Sequence, residues 1–375
     1  MVYLSLEMEA TRMKILHLIN YAGSGGTEKY VLTLIRRQIE SGHSCLLVYH
    51  VDGPLVRDAE TAGAETIRVE LRNILDLRAA KILAGLCRSR GVDVIHAHYP
   101  RENCIALLAV RHLPAVRVVT TVHLVFACNA VWRAVNRLFS PHNHAVLCVC
   151  EAQVAQLTAN GVCPARLRVV HNGVAPDRVE DAAALRESVR REFAISREAV
   201  VVTTLTRYEP VKGIDMLLDV ARILKERLPG LRFLIAGTGS EFDKVSETLR
   251  KESLTDFLIQ AGFRRDTDAI LCASDIYINT SRSEALSFAI TEAMSLEKPA
   301  VITAVGGNPE IITPDSDCGF LVPFGDAQSM AEAIYRLATD DGLRSRMGKQ
   351  AALRVRKEFS EEIMFEKTME AYTEL

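Results

Sequence analysis

Two glutamates give the sequence its clearest chemical signal. Glu284 and Glu292 stand eight residues apart, with the helix-like run Phe288–Met294 covering the second. Eight residues span a little over two helical turns, so a carboxylate before a helix and one inside it can share a face. In open α/β folds, ligands bind where a strand leads into a helix. The pair could therefore bind a hydroxyl-rich ligand. The spacing fits equally well if the first glutamate is merely favoured by the dipole at a helix N-terminus and the second is a solvated residue of the helix.

Two cations form a second candidate group. Arg207 and Lys212 stand five residues apart and follow the apolar run Val200–Leu205. An arginine binds phosphate oxygens as a planar fork, and a lysine binds them as a point charge. The spacing therefore suits a diphosphate, and the alternative is an ordinary solvated basic loop.

Glycine-rich turns follow two of the predicted strands. Gly25 and Gly26 end the turn after Met13–Ile19, and Gly237 follows Arg232–Ala236. Glycine lets backbone amides approach a phosphate at a helix N-terminus. The first turn is not a complete dinucleotide motif, so tight turns without a ligand explain both stretches as well.

Histidines lie at two further strand ends. His123 ends a Val/Thr-rich strand and could hydrogen-bond a sugar hydroxyl or a phosphate, or could be a structural histidine. Strand alternation puts His96 and His98 on one face, which would also suit a metal. No third ligand stands at a convincing spacing, so we predict acceptor-side lining and no metal site. Asp315 and Asp317 are predicted to form a surface turn rather than a metal motif.

Short apolar runs alternate with amphipathic stretches, which predicts an α/β fold of parallel strands joined by crossover helices. The first set of predicted strands is Met13–Ile19, Ser44–His50, Thr66–Glu70, Val92–Ala97, Arg117–Val122, Ala145–Val149 and Leu167–Val170. The second set is Val200–Leu205, Arg232–Ala236, Phe257–Gln260, Ile276–Ile278, Ala300–Ile302 and Gly319–Val322. The same architecture therefore occurs twice.

The break between the two sets lies near Gly173 and divides the chain. We predict an N-terminal Rossmann-like domain over 13–173 and a C-terminal Rossmann-like domain over 174–358. Residues 359–375 are predicted to form a helix. Residues 1–12 are expected to be a disordered or mis-annotated extension.

Bulk composition excludes several protein classes. The 375 residues are 49% hydrophobic and carry a formal net charge of −2, and no apolar run is long enough to span a membrane. The start of the chain lacks the basic and apolar regions of a signal peptide. The nine cysteines include no Cys-x-x-Cys pair, which indicates reduced thiols and a cytoplasmic protein.

Charge is distributed unevenly along the chain. Basic residues outnumber acidic ones before position 170, the reverse holds after it, and all ten histidines lie at or before His171. A basic first half suits an anionic partner such as a phospholipid surface, with chance segregation as the alternative. The stretch 129–140 alternates apolar residues with Arg133 and Arg137, so it is predicted to be an interfacial helix or an ordinary packed one.

Several of these motifs occur together in one known family. The stretch from Ser281 to Glu310 reads Ser-x-x-Glu-x7-Glu-Ala-Met, then Lys-Pro, an apolar strand and Gly-Gly-x-Pro-Glu. This stretch resembles the donor-binding segment of the retaining glycosyltransferases of family 4, which have the GT-B fold. The Gly-Gly-x-Glu turn ending at Glu28, the Thr-x-His ending at His123 and the Arg-x4-Lys-Gly motif starting at Arg207 match the same family.

The resemblance implies two Rossmann-like domains that face a central cleft, with the C-terminal helix crossing back to the first domain. It makes 13–173 the acceptor domain and 174–358 the nucleotide-sugar domain. It also implies roles for the motif residues. Arg207 and Lys212 would neutralise the leaving diphosphate, Glu292 would bind the ribose and His123 would act at the sugar. The remaining donor contacts would come from Glu284 with the backbone of Leu286, Ser287 and Phe288, from the Gly25, Gly26 and Gly237 turns, and from Phe263 and Arg264 beside the base.

The implied reaction moves a sugar, with retention of configuration, from a nucleotide sugar to a glycan, lipid-linked or cell-envelope acceptor. Uridine is the default base, no metal cofactor is required and no nucleic acid is bound. The expected location is the cytoplasm, with the inner face of the membrane as a peripheral site. Ala285 and Ser287 depart from the family pattern and leave the donor sugar open, and Cys150 replaces a family serine. The alternatives are a sugar-nucleotide epimerase on the same fold and a non-catalytic nucleotide-sugar binder.

Overall fold

The structure is a computed structural model that describes residues 12–124, 128–176 and 179–374. The predicted N-terminal extension lies, apart from Arg12, outside the described residues.

Thirteen parallel strands form two sheets in the described chain. They are β1 (Lys14–Tyr21), β2 (Ser44–Val51), β3 (Glu65–Arg68), β4 (Val94–Ala97), β5 (Arg117–Val122), β6 (Ala145–Cys148), β7 (Leu167–Val169), β8 (Val201–Leu205), β9 (Arg232–Ala236), β10 (Leu258–Gly262), β11 (Ile276–Asn279), β12 (Ala300–Thr303) and β13 (Gly319–Val322). Each corresponds to a predicted strand, with ends that differ by two residues at most.

Helices occupy the connections between strands. They are α1 (Gly26–Glu40), α2 (Pro54–Thr61), α3 (Leu77–Arg90), α4 (Pro100–Val110), α5 (Ala130–Phe139), α6 (Ala152–Ala159), α7 (Ala182–Glu192), α8 (Ile214–Arg227), α9 (Phe242–Lys251), α10 (Thr267–Ala273), α11 (Phe288–Ser295), α12 (Asn308–Ile311), α13 (Ala327–Thr339), α14 (Asp341–Glu358) and α15 (Glu361–Thr373). Four helices begin at an aspartate whose carboxylate accepts a backbone N–H of the first turn: Asp76, Asp181, Asp326 and Asp340. Such caps satisfy donors that the helix itself leaves unpaired.

The first compact unit comprises the described residues up to Val149 together with Val154–Val170 and Phe365–Leu375. Its seven strands lie in the order β3-β2-β1-β4-β5-β6-β7. The strand order reverses between β1 and β4, which are hydrogen-bonded neighbours. Such a topological switch point is where ligands of open α/β sheets bind, outside the carboxyl ends of the strands.

The second unit comprises Cys150–Gln153 and His171–Met364, and its six strands lie in the order β10-β9-β8-β11-β12-β13. Its switch point lies between β8 and β11. The division falls at Val170, a few residues before the predicted boundary at Gly173. The predicted C-terminal helix is α15, and its part from Phe365 onward groups with the first unit.

Each unit has its own apolar core. Strands β4, β6, β11 and β12 are buried along their whole length, as expected for parallel strands that helices cover on both faces. The last helix is joined to the first unit by Tyr372, whose ring is fully buried and whose carbonyl accepts a hydrogen bond of 2.9 Å from Arg117 Nη1. Among the described helices, none combines the length and apolar composition needed to cross a membrane.

Candidate functional site

The loops that carry the predicted cations and the first predicted glutamate lie at the switch point of the second unit. Arg207 and Lys212 follow β8, and Glu284 follows its neighbour β11. The carboxyl ends of these two strands lie side by side because the strands are parallel neighbours. The sheet order, rather than the distance along the chain, brings the motifs together.

Lys212 and Glu284 form a partly buried ion pair. Lys212 Nζ donates to Glu284 Oε1 over 2.7 Å. The same oxygen accepts hydrogen bonds from Ser281 Oγ at 2.6 Å and from Asn279 Nδ2 at 3.3 Å. Three donors on one oxygen hold the carboxylate firmly, and its second oxygen makes no hydrogen bond with another described residue. A lysine ammonium has three N–H donors, so Lys212 also retains hydrogen-bonding capacity.

Backbone contact fixes the loop that carries Lys212. The Thr280 hydroxyl donates to the Lys212 carbonyl over 3.1 Å. The next residue, Gly213, has φ +62°, and a Cβ there would lie 2.0 Å from the Thr280 carbonyl oxygen. Only glycine permits this approach, so the Lys212 loop is locked against the end of β11.

A second glycine fixes the loop that carries Glu284. Gly306 has φ +53°, and a Cβ there would lie 1.7 Å from the Glu284 carbonyl oxygen. The adjacent Gly307 N–H donates to the Ala285 carbonyl over 2.8 Å. The glycines of the Gly-Gly-x-Pro-Glu motif therefore position the glutamate through its backbone.

The other predicted donor residues of this unit lie along the same sheet edge. Ser287 precedes α11, Phe288 begins it and Glu292 lies one turn further on, with only 5% of its surface exposed. Leu286 is buried, and its carbonyl accepts from Asn172 Nδ2 over 2.8 Å. The N-terminal end of α11, where the helix dipole favours an anion, thus follows the Glu284 loop directly along the chain.

Arg207 differs from Lys212 in its environment. Its side chain is exposed, and no ion pair within 4.0 Å joins it to another described residue. Its charge acts on nearby Glu209, whose pKa is lowered first by Ser240 and also by Arg207. Lys212 is thus paired directly with Glu284, whereas Arg207 is an exposed cation of this loop.

The structure gives two predicted donor residues a structural explanation. Arg264 ion-pairs with Glu192 and Asp266, and these partners raise the pKa of its guanidinium. Gly237 has φ +140°, and a Cβ there would lie 1.7 Å from the Thr206 carbonyl oxygen. The absence of a side chain at Gly237 therefore lets its backbone pack against that of Thr206. Phe263, which precedes Arg264, is 62% exposed and open to a ligand.

In the first unit, the predicted glycine turn leads directly into a helix. Gly25 precedes α1 and Gly26 is its first residue. Glu28, in the first helical turn, is buried, and a Cβ on Gly25 would lie 2.8 Å from its Oε2. The turn thus packs the Glu28 carboxylate against glycine.

The histidine prediction needs correction. The sequence offered no third partner for His96 and His98, yet His17 lies beside them because β1 pairs with β4 and sets His17 opposite His96. Ring nitrogens of these three histidines all lie within 4.8 Å of one another. His96 and His98 are also buried, so neither lines an accessible surface in this structure.

Burial keeps these imidazoles neutral. Desolvation lowers the pKa of His17 to about 4 and that of His123 to about 3. The pKa values of His96 and His98 also lie well below the ordinary value, first because of burial and then because of neighbouring histidines. A buried neutral imidazole needs hydrogen-bond partners for both nitrogens, or a metal.

Two family models match this sequence. Residues 24–178 match the family model described as Glycosyltransferase Family 4, and residues 186–354 match the model described as Glycosyl transferases group 1. Together the two matches cover most of the chain. The chain belongs to glycosyltransferase family 4. It is a glycosyltransferase of the GT-B type, a class that uses sugar-nucleotide donors.

Individual relatives are distant. The D-inositol 3-phosphate glycosyltransferase of Kribbella flavida is 27% identical over 93% of this chain and 90% of its own. The UDP-Gal:alpha-D-GlcNAc-diphosphoundecaprenol alpha-1,3-galactosyltransferase of Escherichia coli is 26% identical over 74% of each chain. The structure of Anabaena HepE in complex with UDP superposes with a TM-score of 0.85 at 20% identity and covers 97% of this chain and 100% of its own. The structural likeness establishes the two-domain fold.

Replacing Gly306 by alanine should displace the Glu284 loop. The new Cβ would clash with a backbone carbonyl in addition to adopting an unfavourable positive φ, so we expect the variant to lose about 2 kcal/mol of unfolding free energy or more. Denaturant unfolding measures this loss. Gly325→Ala is the matched control, because Gly325 has φ +89° but open space around its Cβ. Equal losses in the two variants would show that the close approach to Glu284 is unimportant.

Acidification should destabilise this glycosyltransferase through its buried histidines. Their folded pKa values lie below 6.5, so between about pH 4 and 6.5 the unfolded chain binds protons that the folded chain does not. The unfolding free energy therefore falls as pH drops below about 6.5, by up to about 1.4 kcal/mol per pH unit for each histidine, and is flat above. Denaturant unfolding at a series of pH values tests this. His96→Gln should flatten the slope and the exposed His112→Gln should not; identical slopes would contradict the assignment.

Proposed function

We propose that this protein transfers a sugar from a UDP-sugar, with retention of anomeric configuration and without a metal, to a lipid-linked or otherwise anionic acceptor. The observation that carries the proposal is the Lys212–Glu284 pair, held beside Arg207 at the switch point of the second unit. A nucleotide diphosphate needs fixed positive charge, and a sugar needs fixed hydrogen-bonding groups. This edge supplies both.

Uridine is supported by the relatives. HepE is described in complex with UDP, and the E. coli enzyme is named for a UDP-Gal donor. In the proposed complex, Arg207 and Lys212 bind the diphosphate and Glu292 binds the ribose hydroxyls. The exposed Phe263 lies beside the base, and the second oxygen of Glu284 accepts from the sugar.

The state of Glu284 bears on the stereochemistry. Its carboxylate is neutralised by Lys212 and held by Ser281, which makes it a poor nucleophile. In the proposed step, the bond from the anomeric carbon to the phosphate oxygen breaks. The bond to the acceptor oxygen forms on the same face, and the acceptor proton passes to the leaving phosphate. Lys212 and Arg207 stabilise the charge that develops on that phosphate, which is the role a metal would otherwise have.

An exposed helix of the first unit supports a lipid-linked acceptor. No residue of α5 is buried. Trp132, Val135 and Phe139 are partly buried, whereas Val131 and Leu138 are 68% and 65% exposed. These two apolar groups stand seven residues apart and share one helix face. The exposed Arg133 and Arg137 lie together roughly 110–150° further round the helix. Apolar and cationic groups in this arrangement suit an anionic membrane surface.

A cavity adjoins this helix at the carboxyl edge of the first sheet. It has a volume of about 280 Å³ and is lined by Asn20 after β1, Tyr99 and Arg101 after β4, and Trp132 of α5. Aromatic faces and polar groups of this kind suit a sugar ring. The relatives support an anionic acceptor, because their names contain an inositol phosphate and a diphosphoundecaprenol.

Removing the charge of Lys212 should weaken nucleotide binding. Lys212→Gln deletes a charge-assisted hydrogen bond to phosphate, so UDP affinity should fall by about 10- to 100-fold in isothermal titration calorimetry. Transfer should fall by at least as much, since the leaving group gains charge in the transition state. Lys244→Gln, at an exposed lysine of the same unit, is the control. Unchanged UDP affinity in Lys212→Gln would contradict the proposed donor site.

Incubation with donor alone, followed by NMR, separates transfer from epimerisation, since an epimerised sugar nucleotide would oppose the proposal.

The exposed face of α5 should govern membrane association. A Val131→Ser/Leu138→Ser variant should bind phosphatidylglycerol vesicles about tenfold less tightly in a sedimentation assay, because two membrane-facing apolar groups are lost. Its stability should be unchanged, since both side chains are exposed in the folded chain. Leu75→Ser/Leu77→Ser removes two equally exposed leucines elsewhere in the unit and should bind like the wild type. Equal vesicle binding by both variants would exclude α5 as the membrane contact.

A further inference from the structure

A continuous chain of hydrogen bonds runs from the edge of the first sheet into its interior. His123 Nε2 lies 3.3 Å from His98 Nδ1. His98 Nε2 lies 3.1 Å from His17 Nδ1, and His17 Nε2 lies 2.8 Å from Gln38 Oε1. The chain thus links the partly buried imidazole at the end of β5 to a fully buried amide on α1.

Two further contacts orient the Gln38 amide. Its oxygen lies 3.2 Å from Cys45 Sγ, which donates to it. Its nitrogen donates to the Tyr372 hydroxyl over 3.3 Å. Because Tyr372 accepts from Gln38, its own O–H is free to donate to His96 Nδ1 at 2.7 Å. His96 then donates from Nε2 to the Thr121 hydroxyl, also at 2.7 Å, so every polar group around the amide is satisfied.

The direction of the chain follows from the amide. A neutral imidazole has one N–H donor and one acceptor nitrogen. Gln38 Oε1 can only accept, so His17 carries its proton on Nε2 and accepts at Nδ1. His98 must then donate from Nε2 and accept at Nδ1, and His123 must donate from Nε2. The acceptor lone pair of His123 is left on Nδ1, which makes no hydrogen bond with another described residue.

We propose that Gln38, acting through His17 and His98, fixes the tautomer of His123, so that His123 presents a bare Nδ1 as a hydrogen-bond acceptor for a substrate hydroxyl. Gln38, His17 and His98 are positioning residues in this account. The hydroxyl as ligand rests on the proposed function, whereas the tautomer itself is a property of the unliganded protein. The low pKa values of His17 and His123 support the account, because a protonated imidazole would break the chain.

A metal ion is the competing explanation for His17, His96 and His98. A tetrahedral zinc site with Zn–N bonds of about 2.0–2.1 Å would set its ligand nitrogens roughly 3.3 Å apart. The nitrogens of this set lie within 4.8 Å of one another, so their spacing alone does not distinguish a metal site from hydrogen-bonded imidazoles. Both nitrogens of His96 also have close partners, Tyr372 and Thr121. Binding a metal would break one of these bonds, so the structure favours the hydrogen-bonded chain.

The direct test is the protonation state of each His123 nitrogen, measured by long-range ¹H–¹⁵N NMR on the ¹⁵N-histidine-labelled full-length protein at pH 7. His123→Gln identifies its resonances. We expect a protonated Nε2 and a bare Nδ1 in the wild type. Gln38→Met, which removes the amide, should give a mixture of both tautomers. Gln38→Glu, which retains an acceptor oxygen, should restore the wild-type tautomer.

Thr120→Val controls for the loss of a buried hydrogen bond. Thr120 Oγ1 donates to the Ala97 carbonyl in the same sheet, but this bond is not part of the histidine hydrogen-bond chain. This variant should keep the wild-type tautomer. If Gln38→Met fails to fold, Tyr372→Phe is the alternative variant. It removes the acceptor of the Gln38 amide nitrogen, so the amide is no longer held in one orientation, and a mixture of tautomers should again result. A protonated Nδ1 in the wild type, or an unchanged tautomer in the folded Gln38 and Tyr372 variants, overturns the proposal. One equivalent of zinc in the purified protein, with histidine nitrogens shifted as metal ligands, would overturn it as well.

Kinetics separate this inference from the proposed function. Gln38→Met should lower kcat in proportion to the fraction of His123 that lacks a bare Nδ1, so an even mixture should lower it about twofold, with UDP affinity unchanged. A mixed tautomer with wild-type kcat would support the relay and remove His123 from the reaction. Loss of UDP binding by Lys212→Gln is independent of either result.

Discussion

The ion pair between Lys212 and Glu284 is the interaction on which the rest of this site depends. An exposed ion pair would contribute little, but this one is largely shielded from solvent, and Ser281 and Asn279 hold its carboxylate. The pair exists only because β8 and β11 are neighbours in the sheet. Two positive-φ glycines, Gly213 and Gly306, then press the loops together. The resulting edge has one cation paired with Glu284 and one exposed cation, Arg207.

The first unit uses the same sheet topology for a different purpose. Its switch point brings β1 beside β4, which places His17 opposite His96. Burial keeps these imidazoles neutral, so their hydrogen bonds rather than their charges determine what His123 can do. One sheet edge therefore presents fixed charge, and the other presents an imidazole with a defined acceptor atom.

The sequence predicted the strands well because parallel strands buried on both faces are continuous apolar runs. It also singled out Lys212 and Glu284, which the structure brings into contact at one sheet edge. It missed His17 and Gln38, since neither has a spacing that links it to His96 or His98 and their proximity depends on strand order. It also could not reveal that Arg264 ion-pairs with Glu192, a residue 72 positions away. Helix and strand periodicity predicts elements, whereas partners across a sheet require the fold.

The sequence could not distinguish a glycine that lets backbone amides approach a phosphate from one that lets two backbone segments pack closely. Gly237 and Gly306 each allow one backbone to approach another, and the structure explains both without a ligand.

The donor diphosphate should bind at the carboxyl edge of β8 and β11. A crystal structure of the complex with UDP decides this. Phosphate oxygens should lie within hydrogen-bonding distance of Lys212 and Arg207, with the ribose at Glu292. A nucleotide bound away from this edge would rule out this site.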